Sequence, residues 1–179
     1  MNYNILVNKK YSLPDNYIPE DLVYIDRKYS IKGMARREAC ESFIKMAKDA
    51  EESNLHIINE SAYRDYEYQK LLFEKEYQLK GEEIYNTLAL PGHSEHQTGL
   101  AFDICTDKYS MYDIEKSIEF TWLERHAHEY GFILRYPKGK EDITGYNYEP
   151  WHYRYLGCDL ATKVYKSGLT FDEYYEKNL

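Results

Sequence analysis

Apolar and polar positions recur along this chain in short, separate rhythms. Leu100, Phe102 and Ile104 alternate with Ala101, Asp103 and Cys105, the two-residue period of a strand. Pro91 and Gly92 break any helix ahead of that run, so LPGHSEHQTGLAFDI, Leu90 to Ile104, reads as a loop leading into a strand. From Gly33 to Asn54 the rhythm changes: Ala35, Ala39, Phe43, Ala47 and Ala50 recur at near-helical spacing with charges between them, which predicts an amphipathic helix. Leu55 to Ser61, with Ile57 and Ile58, predicts a short strand that ends at Ala62-Tyr63-Arg64-Asp65. Asp65 is placed to cap a helix running to Lys80, and Gly81 to stop it. A further helix is expected from Asp113 to Tyr130, with Ile114, Ile118 and Leu123 on its apolar face and Gly131 closing it. Phe132 to Leu134 predicts a strand. Residues 136–148, which hold Pro137, Gly139 and Gly145, predict a loop, and Glu149 to Tyr155 an extended segment. Two short helices close the chain, the last opened by the capping-box pattern Thr170-Phe171-Asp172-Glu173. Residues 1–30, with Pro14 and Pro19, predict an irregular lead-in that packs through Ile5, Val7, Leu22 and Val23. No repeat, low-complexity tract or linker interrupts this order. The elements predict one α+β domain over residues 1–179, a small, mainly antiparallel sheet with flanking helices.

Composition narrows the class. A chain of 179 residues with 43% hydrophobic residues can bury a sizeable core. Tyrosine is abundant, at 21 residues, and its ring and hydroxyl suit a polar groove as well as a core. The formal net charge of −8 argues against nucleic acid, which calls for a basic patch, and is read as a contribution to solubility. The N-terminal MNYNILVNKKYSLP has no apolar run long enough for a signal peptide or a membrane anchor. Cys40, Cys105 and Cys158 are odd in number and widely spaced, which suits reduced thiols better than a disulfide framework. Both features point to the cytoplasm; removal of a leader would place the chain outside the cell. The pattern does not specify an oligomeric state.

The chemistry gathers around the strand at residue 103. A carboxylate inside that apolar run is costly to bury unless it is paired or bound to a metal. His96 lies seven residues before Asp103, and the cluster Tyr148-Glu149-Pro150-Trp151-His152 offers a third ligand with a free carboxylate three residues ahead of it. Three protein ligands with one open position define a catalytic zinc site, where structural zinc sites close with four. Glu149 is then the group to take a proton from water and pass it to a leaving amine. His93 competes with His96 but sits in the Pro-Gly turn, farther from Asp103. Cys105 shares the strand face of Asp103 and is a soft ligand in principle, though a small buried residue is the simpler reading. His56, His126 and His128 read as surface or packing histidines. Arg64 sits at a strand-to-helix corner, a place for a functional side chain on a rigid scaffold or for a surface ion pair.

Taken together, these motifs resemble the LAS metallopeptidases, the group of lysostaphin, D-alanyl-D-alanine carboxypeptidases and hedgehog, and most closely the VanY and VanXY carboxypeptidases. The Ser-x-His-x6-Asp pattern is met by Ser94, His96 and Asp103, with Gly99 and Ala101 inside it, and Glu-x-Trp-His by Glu149, Trp151 and His152. Tyr-Gly-Phe-Ile-x-Arg-Tyr-Pro stands at Tyr130 to Pro137. The Tyr-Arg corner is Tyr63-Arg64, followed by Gln69, and the opening Leu6-Val7-Asn8-Lys9 also matches. The resemblance spans nearly the whole chain. It implies the hedgehog/D-Ala-D-Ala peptidase-like fold and Zn²⁺ held by His96, Asp103 and His152, with Glu149 as base. It also implies that Arg64 stabilises an oxyanion, and that Ser94 and Gln69 hold a substrate carboxylate. The implied activity is removal of a C-terminal D-amino acid from peptidoglycan peptides or precursors ending in D-Ala-D-Ala, with the free dipeptide as a further substrate. An L,D-carboxypeptidase or a phage-type endopeptidase is the alternative within this fold, and a wall-peptide binding module is the non-enzymatic one.

Overall fold

A computed structural model describes residues 3–179. The lead-in is mostly irregular, but it contains a strand that the sequence pattern does not reveal, β1 (Leu22–Tyr24). This strand pairs antiparallel with β2 (Met34–Arg36), with Val23 opposite Ala35. The helix expected from Gly33 therefore starts later, as α1 (Arg37–Glu51). Tertiary pairing overrides the helical spacing here: Ala35 is buried as a strand residue, and Ala39, Phe43, Ala47 and Ala50 continue the apolar face of α1.

β3 (Ile58–Ser61) is shorter than the expected strand, with Leu55 and Ile57 buried ahead of it. Asp65 caps α2 (Tyr66–Lys80) as expected, its carboxylate accepting from the Tyr68 amide at 2.7 Å, and Gly81 ends the helix at φ +62°. β4 (Ala101–Cys105) is buried along its whole length. The single helix expected over 113–130 is broken into three pieces: a 3₁₀ turn (Met111–Lys116), α3 (Ile118–His126) and a second 3₁₀ turn (Ala127–Tyr130). Ser117 causes the break. Its backbone is extended and its hydroxyl accepts from the Phe120 amide at 3.0 Å, so a new helix is capped there. Ile118 falls in the first turn of that helix and is exposed, not on the apolar face. β5 (Phe132–Leu134) follows Gly131, whose φ is +85° and where a Cβ would stand 2.7 Å from Tyr155. One helical turn, α4 (Glu141–Thr144), lies inside the expected loop. β6 (His152–Tyr155), α5 (Cys158–Ser167) and α6 (Phe171–Asn178) complete the chain, with the Thr170/Glu173 capping box formed.

Four strands form an antiparallel sheet in the order β3-β4-β6-β5, an α+β arrangement with flanking helices. Strand alternation divides its two faces. Phe102, Phe132, Tyr153 and Tyr155 face α1, where Phe43 stacks on Phe102 with ring centroids 5.0 Å apart. Asp103, His152 and Arg154 occupy the opposite face. One side of the sheet is thus the core that holds the strands in register, and the other carries polar groups. Among the described residues, no helix is long and apolar enough to cross a membrane. Phe43→Ala should cost about 3–5 kcal/mol, because a fully buried ring between two others leaves a cavity. Urea unfolding of the two proteins measures it, and a loss below about 1 kcal/mol would contradict this account of the core.

Candidate active site

The sheet register brings the first two site residues together. Asp103 on β4 and His152 on β6 are direct cross-strand partners, so their side chains rise side by side, with His152 Nδ1 3.3 Å from Asp103 Oδ1. His96 comes from the 3₁₀ turn Glu95–Thr98, which Gly99 reverses at φ +68°. A Cβ on Gly99 would meet Leu22 and Arg36 at 3.0 Å, so this turn needs glycine. The corner after β3 is tied to the same turn: the Arg64 amide donates to the His96 carbonyl at 3.2 Å.

Each imidazole is held by a partner that determines its tautomer. A carbonyl can only accept, so His96 Nδ1–H donates to Ala62 O at 2.6 Å, and Nε2 carries the lone pair. That buried Nε2 lies 3.2 Å from Asp103 Oδ2 without making a hydrogen bond, and Asp103 Oδ1 is likewise buried and unpartnered. His152 Nε2 faces Glu95 Oε2 at 3.4 Å, which leaves Nδ1 toward Asp103. Ligand atoms of His96, Asp103 and His152 all lie within 4.8 Å of one another. Two orphaned, buried acceptor atoms converging with a third nitrogen are a donor set that fits Zn²⁺. Glu149 is outside this group. Its carboxylate is 3.6 Å from His152 Nδ1, on the wall of the cleft.

Electrostatics separate these groups. Burial and the Arg64 charge lower His96 to about 4, so it stays neutral. Burial alone would lower His152, but the carboxylates of Asp103 and Glu95 beside its two nitrogens outweigh it and raise the ring to about 9. Burial would raise Asp103 too, yet the charged partners around it hold it well below the usual carboxylate range. Glu149 is pushed up to about 8 by burial, against the pull of His152 and Arg64.

An open cleft of about 750 Å³ leads to this group. Arg64, Ser94, Tyr112, Tyr136, Tyr146 and Trp151 are on its wall, so tyrosines line a polar groove here. Arg64 Nε donates to Gln69 Oε1 at 3.1 Å, and Nη1 to Ser61 Oγ at 2.9 Å and Asp103 Oδ2 at 3.3 Å. Gln69 is fully buried. Its amide nitrogen donates to Ala89 O at 2.7 Å, so it stands behind Arg64 and not on the cleft wall. Ser94 Oγ accepts from the His96 amide at 3.3 Å.

The competing residues lie apart from this group. His93 Nδ1 bonds the Asn8 carbonyl at 2.8 Å, and His128 stacks on Tyr165. Cys105 is buried, with its thiol pushed up to about 12 chiefly by burial. Three residues to which the sequence pattern assigns no role are Glu95, Arg135 and Arg154, all buried and joined. The signal for Arg154 was present, since residues 152 and 154 of an alternating strand share a face.

A buried His-Asp-His group with a separate carboxylate, at the end of an open cleft on a small antiparallel sheet, defines a metallopeptidase. The chain belongs to the VanY family, D-alanyl-D-alanine carboxypeptidase, whose profile matches residues 32–158, and it is a peptidase. It is similar to the solved LdcB LD-carboxypeptidase at 42% identity and TM-score 0.90, covering 96% of this chain and 85% of that one. It is also similar, at 34% identity and TM-score 0.83, to a variant of the vancomycin-resistance D,D-pentapeptidase VanY solved in complex with Zn(II), covering 97% of this chain and 98% of that one. The D-alanyl-D-alanine carboxypeptidase of Enterococcus faecium is 34% identical over 95% of this chain, which spans 56% of that relative's length. Zinc is accordingly the cofactor for this donor set. Purified protein should carry about one zinc per chain. Elemental analysis after dialysis should show that His96→Ala plus His152→Ala abolishes this; full retention would refute the ligand set.

Proposed function

We propose that this chain is a zinc D,D-carboxypeptidase that hydrolyses the C-terminal D-Ala-D-Ala bond of peptidoglycan peptides or their precursors. His96, Asp103 and His152 hold the metal, and Glu149 is the general base. The observation that carries the reading is Glu149 itself, a buried carboxylate on the cleft wall, beside the ligand group yet not in it. Zinc, when bound, supplies a Lewis acid that polarises the scissile carbonyl and makes water a nucleophile near neutral pH. Glu149 takes the proton of the attacking water and returns it to the leaving amine. A carboxylate whose proton affinity is raised by burial serves both steps.

Arg64 stabilises the developing oxyanion, because a cation fixed by Gln69 and Ser61 needs no reorganisation as charge appears. Gln69 contributes by holding Arg64. Ser94, with a hydroxyl at the cleft, binds the terminal carboxylate of the substrate. The chain is read as one domain, since its first segment bonds Arg154 and its last bonds Arg135. A binding module without turnover would have no use for Glu149. A second reading, release of a single D-Ala from a tetrapeptide, is favoured by the likeness to LdcB.

Product analysis on a pentapeptide ending in D-Ala-D-Ala, a tetrapeptide ending in one D-Ala, and free D-Ala-D-Ala separates these readings. The pentapeptide should lose one D-Ala, and Glu149→Ala should abolish this while keeping its zinc. Cleavage of the tetrapeptide alone would overturn the D,D reading in favour of the L,D one. For Arg64→Ala, kcat should fall by about 10²–10³ with little change in KM. A change confined to KM would assign Arg64 to ground-state binding.

A further inference from the structure

Glu95 is fully buried, and its two oxygens are used differently. Oε1 accepts from Arg135 Nε at 2.8 Å and Arg154 Nη1 at 2.7 Å, while Oε2 faces His152 Nε2 at 3.4 Å. One oxygen is anchored and the other is presented to an imidazole. Arg135 pairs in turn with Asp172 of α6, which also accepts from Asn8 Nδ2 at 2.7 Å. Arg154 donates through Nη2 to the carbonyls of Tyr3 at 3.0 Å and Ile5 at 2.7 Å. Two guanidiniums and two carboxylates therefore balance inside the fold. Such a network costs much desolvation and is weak evidence for stability alone. Tyr3, Ile5, Asn8 and Asp172 all lie outside residues 32–158, the part the family profile matches.

We propose that Glu95 is the positioning residue of the metal site, and that the two ends of the chain set its place. Held by Arg135 and Arg154, its carboxylate takes the Nε2–H of His152, fixes the tautomer that leaves Nδ1 free to ligate, and makes that nitrogen a better donor. The proposal rests on the reading of His96, Asp103 and His152 as zinc ligands. It adds that α6 and the segment before β1 belong to the same device, through Asp172 and through the carbonyls that hold Arg154.

Substitution by an isosteric amide is the sharpest probe. In Glu95→Gln the two guanidiniums select the amide oxygen, so the amide NH₂ turns toward His152. Donor then faces donor, and His152 is driven to carry its proton on Nδ1, the ligating atom. Zinc affinity, measured by competition with a chromophoric chelator, should fall by about 10–100-fold. Asp172→Asn, remote from the metal, should weaken binding less but in the same direction. The cobalt(II) form of Glu95→Gln should show altered d–d bands. Far-UV circular dichroism and melting of each metal-free variant establish that it is folded.

A measurement on the unaltered zinc protein stands beside the variants: ¹⁵N-resolved imidazole spectra should show a protonated Nε2 on His152. Wild-type protein that takes up no zinc overturns both this proposal and the ligand assignment. Tight wild-type binding overturns this proposal alone if folded Glu95→Gln binds within about threefold of it. Should Glu95→Gln not fold, the spectra decide: an unprotonated Nε2 on His152 overturns the proposal, and a protonated one supports it.

Discussion

The pairing of Asp103 with His152 across β4 and β6 is the constraint on which the site depends. A carboxylate in the middle of a fully buried strand is tolerated only where charge partners surround it. The antiparallel register places an imidazole directly opposite. A slip of one residue would exchange the faces, turning Phe102 and Tyr153 onto the polar side and Asp103 into the core beneath α1. Phe43, Phe102 and Phe132 thus guard the register from the other side of the sheet. The apolar face determines where the polar face places Asp103 and His152.

His96 does not come from the sheet, and it has to be brought to it. The 3₁₀ turn, the positive φ of Gly99 and the Ala62 carbonyl together aim its Nε2 at Asp103. Because Arg64 is held at the same corner, the cation and the ligand turn form one rigid piece. A guanidinium fixed by Ser61, Gln69 and Asp103 has little freedom to lose, which suits the oxyanion contact proposed for it.

Much of this was legible in the sequence, for physical reasons that can be named. Period-two alternation exposed β4 and, with it, the anomaly of Asp103. Asp65, Gly81, Gly131 and the Thr170/Glu173 box marked element ends correctly because capping is local chemistry. The errors came where a distant partner or a single hydroxyl decided the outcome. β1 and β2 exist through pairing with each other, which no local pattern announces. Ser117 divided what looked like one helix and left Ile118 in solvent. No local pattern marks Glu95 as buried. Only the folded chain shows Arg135, just after β5, and Arg154 on β6 closing around it.

The two imidazoles end in opposite protonation states, and this asymmetry follows from their neighbours. His96 faces the Arg64 cation and gives its Nδ1–H to a neutral carbonyl, so burial prevails and its Nε2 lone pair stays available. His152 stands between Asp103 and Glu95 and has a carboxylate toward each nitrogen, so a proton is retained there. The positive charge on that ring is the charge the two carboxylates require. A divalent cation held at Nδ1 would meet the same requirement, with the Nε2–H kept toward Glu95. Glu149, outside the His-Asp-His group but with its carboxylate 3.6 Å from the same nitrogen, borders this pairing of charges.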